Sequence, residues 1–315
     1  MSEAAATARP KRNRSGRWLV LGAAFFWGTS ATLARGIFRD LHVPALTVVE
    51  LRLAIAGGAI GLWLAIRRPH ELRIRRADWL YVLTLALFGV ATVQATYYYS
   101  ISVLGVGLAI LAQYIAPTLI VLFDVVRGRP VHRITWVAVA AALAGTALLV
   151  THAAPAQLHA RGWQWAIAFS SAFWFAFYIL YSKRGLERYT PAAMLFYTFA
   201  IAGVFWAFVT PPTKIAAAGY DARTWLLFIA LGVVSTLVPF SLFYAGLRRM
   251  GAAEAGIVAT MEPVIATVSA AVVLGEGLAP LQWLGAAFVL VAATVASREH
   301  EQQETKTPTP GAQHT

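Results

Sequence analysis

GAAEAGIVATMEPVIATVSAAVVLGEG, Gly251 to Gly277, is long enough to cross a bilayer, yet a Glu-Pro pair, Glu262-Pro263, stands near its middle. A charge at the centre of a span costs about 3 kcal/mol or more. A proline removes a backbone hydrogen bond that lipid cannot replace. Each therefore needs a reason. An earlier segment, GVGLAILAQYIAPTLIVLFDVVRGRP from Gly105 to Pro130, is built the same way. Pro117 matches Pro263 and Gly105 matches Gly251, both at an offset of 146 residues.

The duplication extends outward from these two stretches. At an offset of 147, Phe26-Trp27 matches Phe173-Trp174 and Pro44-Ala45 matches Pro191-Ala192. At 146, Trp79-Leu80 matches Trp225-Leu226 and Tyr98 matches Tyr244. Ten apolar segments can be read, at 18–37, 44–66, 79–100, 104–126, 134–151, 163–181, 191–210, 224–246, 252–274 and 281–297. Each is long enough to cross about 30 Å of hydrocarbon. Five fall in each half, and five is odd, so the second half must enter the membrane from the opposite side. The expected fold is an all-α integral membrane protein, ten transmembrane helices arranged as two inverted five-helix repeats. Its divisions are a disordered tail at 1–16, a first repeat at 17–151, a second at 152–297 and a disordered tail at 298–315.

Composition agrees. Of 315 residues, 59% are hydrophobic and only 13% charged, where soluble domains carry about a quarter. The net charge of +12 raises nucleic acid as a partner, but no basic face or binding motif supports it. Instead the charge alternates loop by loop. With the N-terminus inside, 20 of the 26 Lys and Arg fall in inside segments and five outside. Both termini are therefore expected in the cytoplasm. Trp18, Trp79, Trp136, Trp163, Trp225 and Trp283 stand at span ends, as an interfacial aromatic belt requires. There are no cysteines, so disulfides and Cys-ligated metal are excluded. No Walker loop, HExxH or GxSxG is present, and the histidines lie mostly in loops, so neither a cofactor, a metal site nor an enzyme is expected.

An inverted repeat places its site at the midplane, beside interrupted helices. Pro117 and Pro263 are the interruptions, freeing the carbonyls of Gln113 and Ala259 four residues earlier. A structural kink is the alternative reading. Glu262 lies roughly 14 Å into its span. It serves either proton coupling and substrate recognition or a structural hydrogen bond to a neighbouring helix. Arg52, the remaining basic residue, lies roughly 12 Å in from the opposite surface. It either pairs with Glu262 across the halves or is satisfied by backbone carbonyls. Glu50 lies about 200° around the helix from Arg52, so the two cannot face each other. Glu254 reads as a helix cap, and Asp124, Glu276 and Arg35 as interfacial anchors. Trp27, Gln94, Tyr98, Gln113, Trp174, Tyr178 and Tyr244 are candidate solute contacts, with helix packing as the other reading. Tyr97 and Tyr114 also lie inside spans.

Three stretches carry a family resemblance: AFFWGTSA (Ala24–Ala31), ELRLAIAGG (Glu50–Gly58) and YAGLRRMGAAEAGIVATMEPVIATVSAAVVLGE (Tyr244–Glu276). With the ten spans, they resemble the EamA family of the drug/metabolite transporter superfamily over residues 18–297. The resemblance implies an inner-membrane secondary transporter of small organic solutes, often an exporter of amino acids, metabolites or toxic compounds. It also implies a cavity formed by the first, third, fourth, sixth, eighth and ninth spans. The first half departs from the pattern, with Ala116 before Pro117 and Arg129-Pro130 in place of the closing Gly-Glu. Any coupling carboxylate is therefore expected in the second half only, with Glu262 the first candidate. The expected partners are a small organic solute, the lipid bilayer and protons, with a homodimer also compatible. A lipid-linked carrier flippase and a non-transporting sensor or scaffold are the other classes left open.

Overall fold

The computed structural model describes residues 15–30, 41–150, 160–274 and 279–306. Parts of the expected first span and of both tails, with Arg35 and Glu276, lie outside these. Among the described residues every regular element is helical. The chain runs through α1 (15–30), α2 (Ala45–Arg67), α3 (Trp79–Thr84), α4 (Leu85–Ala91, a π-helical turn) and α5 (Thr92–Gln113). It continues with α6 (Ala116–Val126), α7 (Arg133–Leu149), α8 (Gly162–Gly185) and α9 (Pro191–Val209). The remainder is α10 (Pro212–Ala217), α11 (Ala222–Gly232), α12 (Val233–Leu237, again π-helical) and α13 (Val238–Leu247). Last come α14 (Ala252–Ala259), α15 (Met261–Leu274) and α16 (Pro280–Lys306).

Five of the helical runs are long and apolar enough to cross a membrane: Ala45–Arg67, Arg76–Val126, Gly162–Gly185, Pro191–Val209 and Ala222–Leu247. Arg133–Leu149 and Pro280–Ala296 are shorter apolar helices. Arg76–Val126 has 51 residues, which a straight helix would stretch to about 77 Å. It doubles back at Gly105, whose φ of 78° and ψ of 168° break the helix inside α5. The hydroxyls of Tyr97 and Tyr114, on either side of that break, reach the same carboxylate, Glu262. On one straight helix they would stand about 25 Å apart.

That backbone conformation is open almost only to glycine. Gly105→Ala is therefore expected to lower stability by about 1–3 kcal/mol, read as a fall in the melting midpoint of the purified protein. A midpoint equal to that of the wild type would show that the turn tolerates a Cβ.

One end of the molecule gathers three connecting segments and the start of α1. Arg188 Nη1 (3.0 Å) and the Tyr189 hydroxyl (2.6 Å) donate to Asp78, and the Thr190 hydroxyl donates to Glu71 (2.5 Å). Arg17 pairs with Glu254 at 2.7 Å. Lys183 Nζ donates to the carbonyls of Leu247 and Met250, both at 2.6 Å. Contacts at the opposite end include Gln282 Nε2 to the Leu149 carbonyl (3.3 Å) and Gln164 Nε2 to the Tyr99 hydroxyl (3.5 Å). Asp221 begins α11 there, and hydrogen bonds from the Thr224 side chain and N–H hold its carboxyl below the usual range. The six tryptophans noted at helix ends are all exposed.

The tail is a correction. Residues 298–306, expected to be disordered, continue α16 to Lys306. The sequence REHEQQETK is rich in Glu, Gln and Lys, which extend a helix at little cost.

Candidate functional site

The two proline segments are built alike. α5 ends at Gln113, Tyr114 leaves helical geometry, and α6 restarts at Ala116 with Pro117 in its first turn. α14 ends at Ala259, Thr260 is the break, and α15 restarts at Met261 with Pro263 in its first turn. Proline suits a first turn, where its missing N–H has no partner to lose. The freed Ala259 carbonyl accepts from the Tyr114 hydroxyl at 2.8 Å. The break thus joins the two halves of the chain through one side chain.

Glu262 sits in the first turn of α15, where the helix dipole favours a carboxylate. It is 5% exposed. Its Oε1 accepts from Tyr97 (3.1 Å) and its Oε2 from Tyr114 (2.7 Å). Tyr114 has one hydroxyl proton and two acceptors within reach, Ala259 O and Glu262 Oε2. If Glu262 is ionised, Tyr114 donates to it. If Glu262 is protonated, its own O–H can donate to the Tyr114 oxygen while Tyr114 donates to Ala259. A proton on Glu262 therefore re-sorts hydrogen bonds across the helix break.

Arg52, on α2, is 2% exposed. Its Nε donates to Thr236 Oγ1 (2.7 Å) and its Nη2 to the Ser235 carbonyl (2.9 Å). Both acceptors lie in the π-helical α12, where Thr236 Oγ1 donates in turn to Leu231 O at 2.8 Å. The guanidinium lies 4.2 Å from the Tyr98 ring centroid, a cation–π distance. Of the two readings of Arg52, the ion pair with Glu262 is absent from the salt bridges among the described residues, and the contact to a backbone carbonyl is present, at Ser235. Arg52 takes a backbone carbonyl, a hydroxyl and a ring instead, because the π turn of α12 presents them to it.

Trp27, Arg52, Gln94, Tyr98, Gln113 and Glu262 nevertheless line one cavity, together with Tyr97, Phe175, Ser235 and Phe240. Trp174, Tyr178 and Tyr244 do not line it. Trp174 stacks on Phe88 with ring centroids 5.9 Å apart. Tyr178 stacks on Tyr244 at 5.6 Å, and the Tyr244 hydroxyl meets Ser182 Oγ at 2.9 Å. These three belong to the aromatic packing of α8 and α13. Tyr97 and Tyr114, which hold Glu262, were not among the expected contacts; their place inside spans was the available signal. Glu254, read as suiting a helix N-terminus, does lie in the first turn of α14, and it is also buried and bound to Arg17. Glu50 is buried away from the cavity. No group of three or more His, Cys, Asp or Glu able to hold a metal occurs among the described residues.

The central cavity measures about 40 Å³, room for a few waters and not for an organic solute. A second cavity of about 940 Å³ opens at the end that carries Arg17 and Lys183. It touches the other face of α8, through Phe173, Phe177 and Tyr181, and its rim includes Arg127, Arg129, Arg184 and Glu187. The larger volume is lined by none of Trp27, Arg52, Gln94, Tyr98, Gln113 and Glu262, all of which line the smaller one.

Gly28 lets α1 approach Glu262. A Cβ there would stand 2.8 Å from the Glu262 carbonyl and 2.9 Å from the Ala266 nitrogen. Both are backbone atoms and cannot swing aside. Gly28→Leu is expected to separate α1 from α15 and cost about 1–3 kcal/mol by overpacking. A cross-link yield between cysteines placed on the two helices would report the separation; an unchanged yield would refute it.

Comparison with known proteins fits this architecture. A crystal structure with 21% sequence identity superposes at a TM-score of 0.72 over 92% of this chain and 99% of that one, a likeness of fold. The uncharacterized inner membrane transporter YicL of Salmonella typhimurium (strain LT2) is 27% identical, covering 92% of this chain and 97% of that protein. The uncharacterized transporter YwfM of Bacillus subtilis (strain 168) is 27% identical, over 91% and 95%. The threonine/homoserine exporter RhtA of Escherichia coli (strain K12) is 29% identical, over 88% of each. The model of the EamA-like transporter family matches twice, at residues 14–151 and 163–298. With both halves of the chain matched by that model, the chain belongs to the EamA-like transporter family.

Proposed function

We propose that this chain is a secondary transporter, working as an exporter, that moves small polar organic solutes by alternating access in exchange for protons. In this reading it crosses the inner membrane ten times as two inverted repeats, 17–151 and 152–297, with both termini in the cytoplasm. The observation that carries it is the buried Glu262 at a helix break, held by hydroxyls of Tyr97 and Tyr114 from the other half of the chain. One carboxylate so placed can bind a proton and change the contacts between the halves in the same step.

Several features support the arrangement. The helix breaks at Tyr114 and Thr260 fall at the same offset as Pro117 and Pro263. Each half carries a π-helical turn in a corresponding helix, Leu85–Ala91 and Val233–Leu237, and such turns cluster at functional sites. The basic loop residues Arg127, Arg129, Lys183 and Arg184 gather at one end, as the positive-inside rule requires of a cytoplasmic face. The small central cavity and the open cavity at that end suit a state with the midplane closed. The name of RhtA places amino acids among the solutes to test first.

The experiment is solute uptake into proteoliposomes of the purified full-length protein, with and without an imposed pH gradient. Uptake that responds to the gradient supports exchange. Uptake indifferent to it would leave a facilitator. A lipid-linked carrier flippase would instead move a lipid-sugar and ignore water-soluble solutes.

A further inference from the structure

The cavity of about 940 Å³ is lined by α6, α8 and the start of α14. It shares no lining residue with the central cavity. Its size is that of a pocket for a sizeable organic molecule, for which about 300–1,000 Å³ is usual. The lining runs from Phe173 to Arg184 on α8, about 16 Å of helix, and from Leu119 to Arg127 on α6, about 12 Å. Its chemistry changes along that length. Leu119, Phe123, Phe173, Phe177, Leu180 and Ile257 form an apolar wall, and Arg127, Arg129, Lys183 and Arg184 form a basic rim. Phe123 and Phe173 are 37% and 57% exposed, and contiguous apolar surface of this kind calls for an apolar cover. Two acids of the lining are already engaged, Asp124 with Arg129 and Glu254 with Arg17, both at 2.7 Å. Glu187 is the third. Arg127 and Arg184 make no ion pair among the described residues. The Arg127 guanidinium lies 5.3 Å from the Phe123 ring centroid, which keeps it beside the groove.

We infer that this groove binds an anionic phospholipid, with Arg127 and Arg184 on the headgroup phosphate and an acyl chain along the apolar wall between α6 and α8. Arginine suits the task, because its planar fork can donate two hydrogen bonds to one phosphate. A basic pocket between helices, at the level where headgroups lie, is the form such sites take. A water-soluble anion would leave the phenylalanine wall uncovered. A lipid with a choline headgroup would bring a cation against the arginines. An anionic phospholipid satisfies the rim and the wall together. The site stands independently of the transport reading, since none of its residues belongs to the cluster around Glu262. It does reach the same helix segment. Gly251 to Glu254, at the start of α14, are part of its lining, so a bound lipid packs against the helix that breaks at Thr260.

The test titrates the purified full-length protein in detergent with phosphatidylglycerol, phosphatidylcholine or water-soluble glycerophosphoglycerol. Bound molecules are counted by native mass spectrometry. Phosphatidylglycerol is expected to bind more tightly than the other two. Replacing either rim arginine, Arg127→Gln or Arg184→Gln, is expected to weaken it about five-fold, and both together about 25-fold, the worth of a basic residue at an anionic lipid surface. Binding of phosphatidylcholine should not change. Arg73→Gln with Arg76→Gln removes the same charge from exposed residues outside the groove and is expected to leave phosphatidylglycerol binding intact. Leu180→Trp, which fills the apolar wall and spares the rim, is expected to weaken it at least five-fold. The lipid-free melting midpoint of each variant checks that it is folded, and the exposed arginine variants carry the test if Leu180→Trp is not. Four results would overturn the site: phosphatidylcholine or glycerophosphoglycerol binding as well as phosphatidylglycerol, the control pair weakening it as much as the rim pair, a folded Leu180→Trp binding it like the wild type, or no retained lipid.

Discussion

Replacing Glu262 by glutamine is expected to abolish accumulation against a gradient while leaving solute exchange in place. Glutamine keeps the volume of the side chain and can still hydrogen-bond to Tyr97 and Tyr114, so the helix break at Thr260 is preserved. It cannot take up or release a proton. For exchange with one proton, a difference of one pH unit is worth about 1.4 kcal/mol, a ten-fold solute ratio. The sign follows from exchange: protons run from the acidic to the alkaline compartment, so solute collects in the acidic one. Wild-type proteoliposomes should therefore reach about a ten-fold ratio toward the acidic side per pH unit, and Glu262→Gln a ratio of one. A glutamine variant that accumulated solute like the wild type would remove Glu262 from the coupling step.

The second large effect is expected at Arg52. Arg52→Leu takes away the donor to the Ser235 carbonyl and the cation on the Tyr98 ring. It also removes the hydrogen bond to Thr236, which braces the π turn. Loss of one hydrogen bond to a charged group costs about 1.5–3 kcal/mol, so uptake should fall at least about ten-fold. Because Arg52 makes no salt bridge with Glu262, adding Glu262→Gln should not rescue the variant. The double change should be as impaired as Arg52→Leu or worse, as for sites without a direct bond. A double variant that recovered activity would restore the direct ion pair as the better account. Arg52→Lys should recover little, since a single ammonium cannot reach Thr236, Ser235 and the Tyr98 face together.

The sequence carried most of the scaffold. Hydropathy located the apolar helices, and the Trp, Pro and Gly markers at constant offset located their partners in the other half. The proline effect identified Ala259 as a carbonyl needing a new donor, and the Tyr114 hydroxyl supplies it. The intramembrane charges at Arg52 and Glu262 also stood out, because a charge away from water is costly wherever it faces. Helical spacing could not separate cavity lining from packing for the aromatic residues. Trp27 and Tyr98 line the cavity, whereas Trp174, Tyr178 and Tyr244 stack within the helices around it.

By itself the sequence determined an all-helical, membrane-type chain with two related halves and one carboxylate without a counterpart. These depend on hydrophobicity and local backbone chemistry, which each segment carries with it. Only the tertiary structure decided which groups meet. Tyr97 and Tyr114 reach Glu262 because Gly105 turns the chain back, and Arg52 bonds to Ser235 and Thr236 because α12 winds as a π turn. Glu254 meets Arg17 because their segments come together at one end of the fold. Such pairings depend on how helices distant in sequence are rotated and packed, and periodicity within a single segment does not encode that.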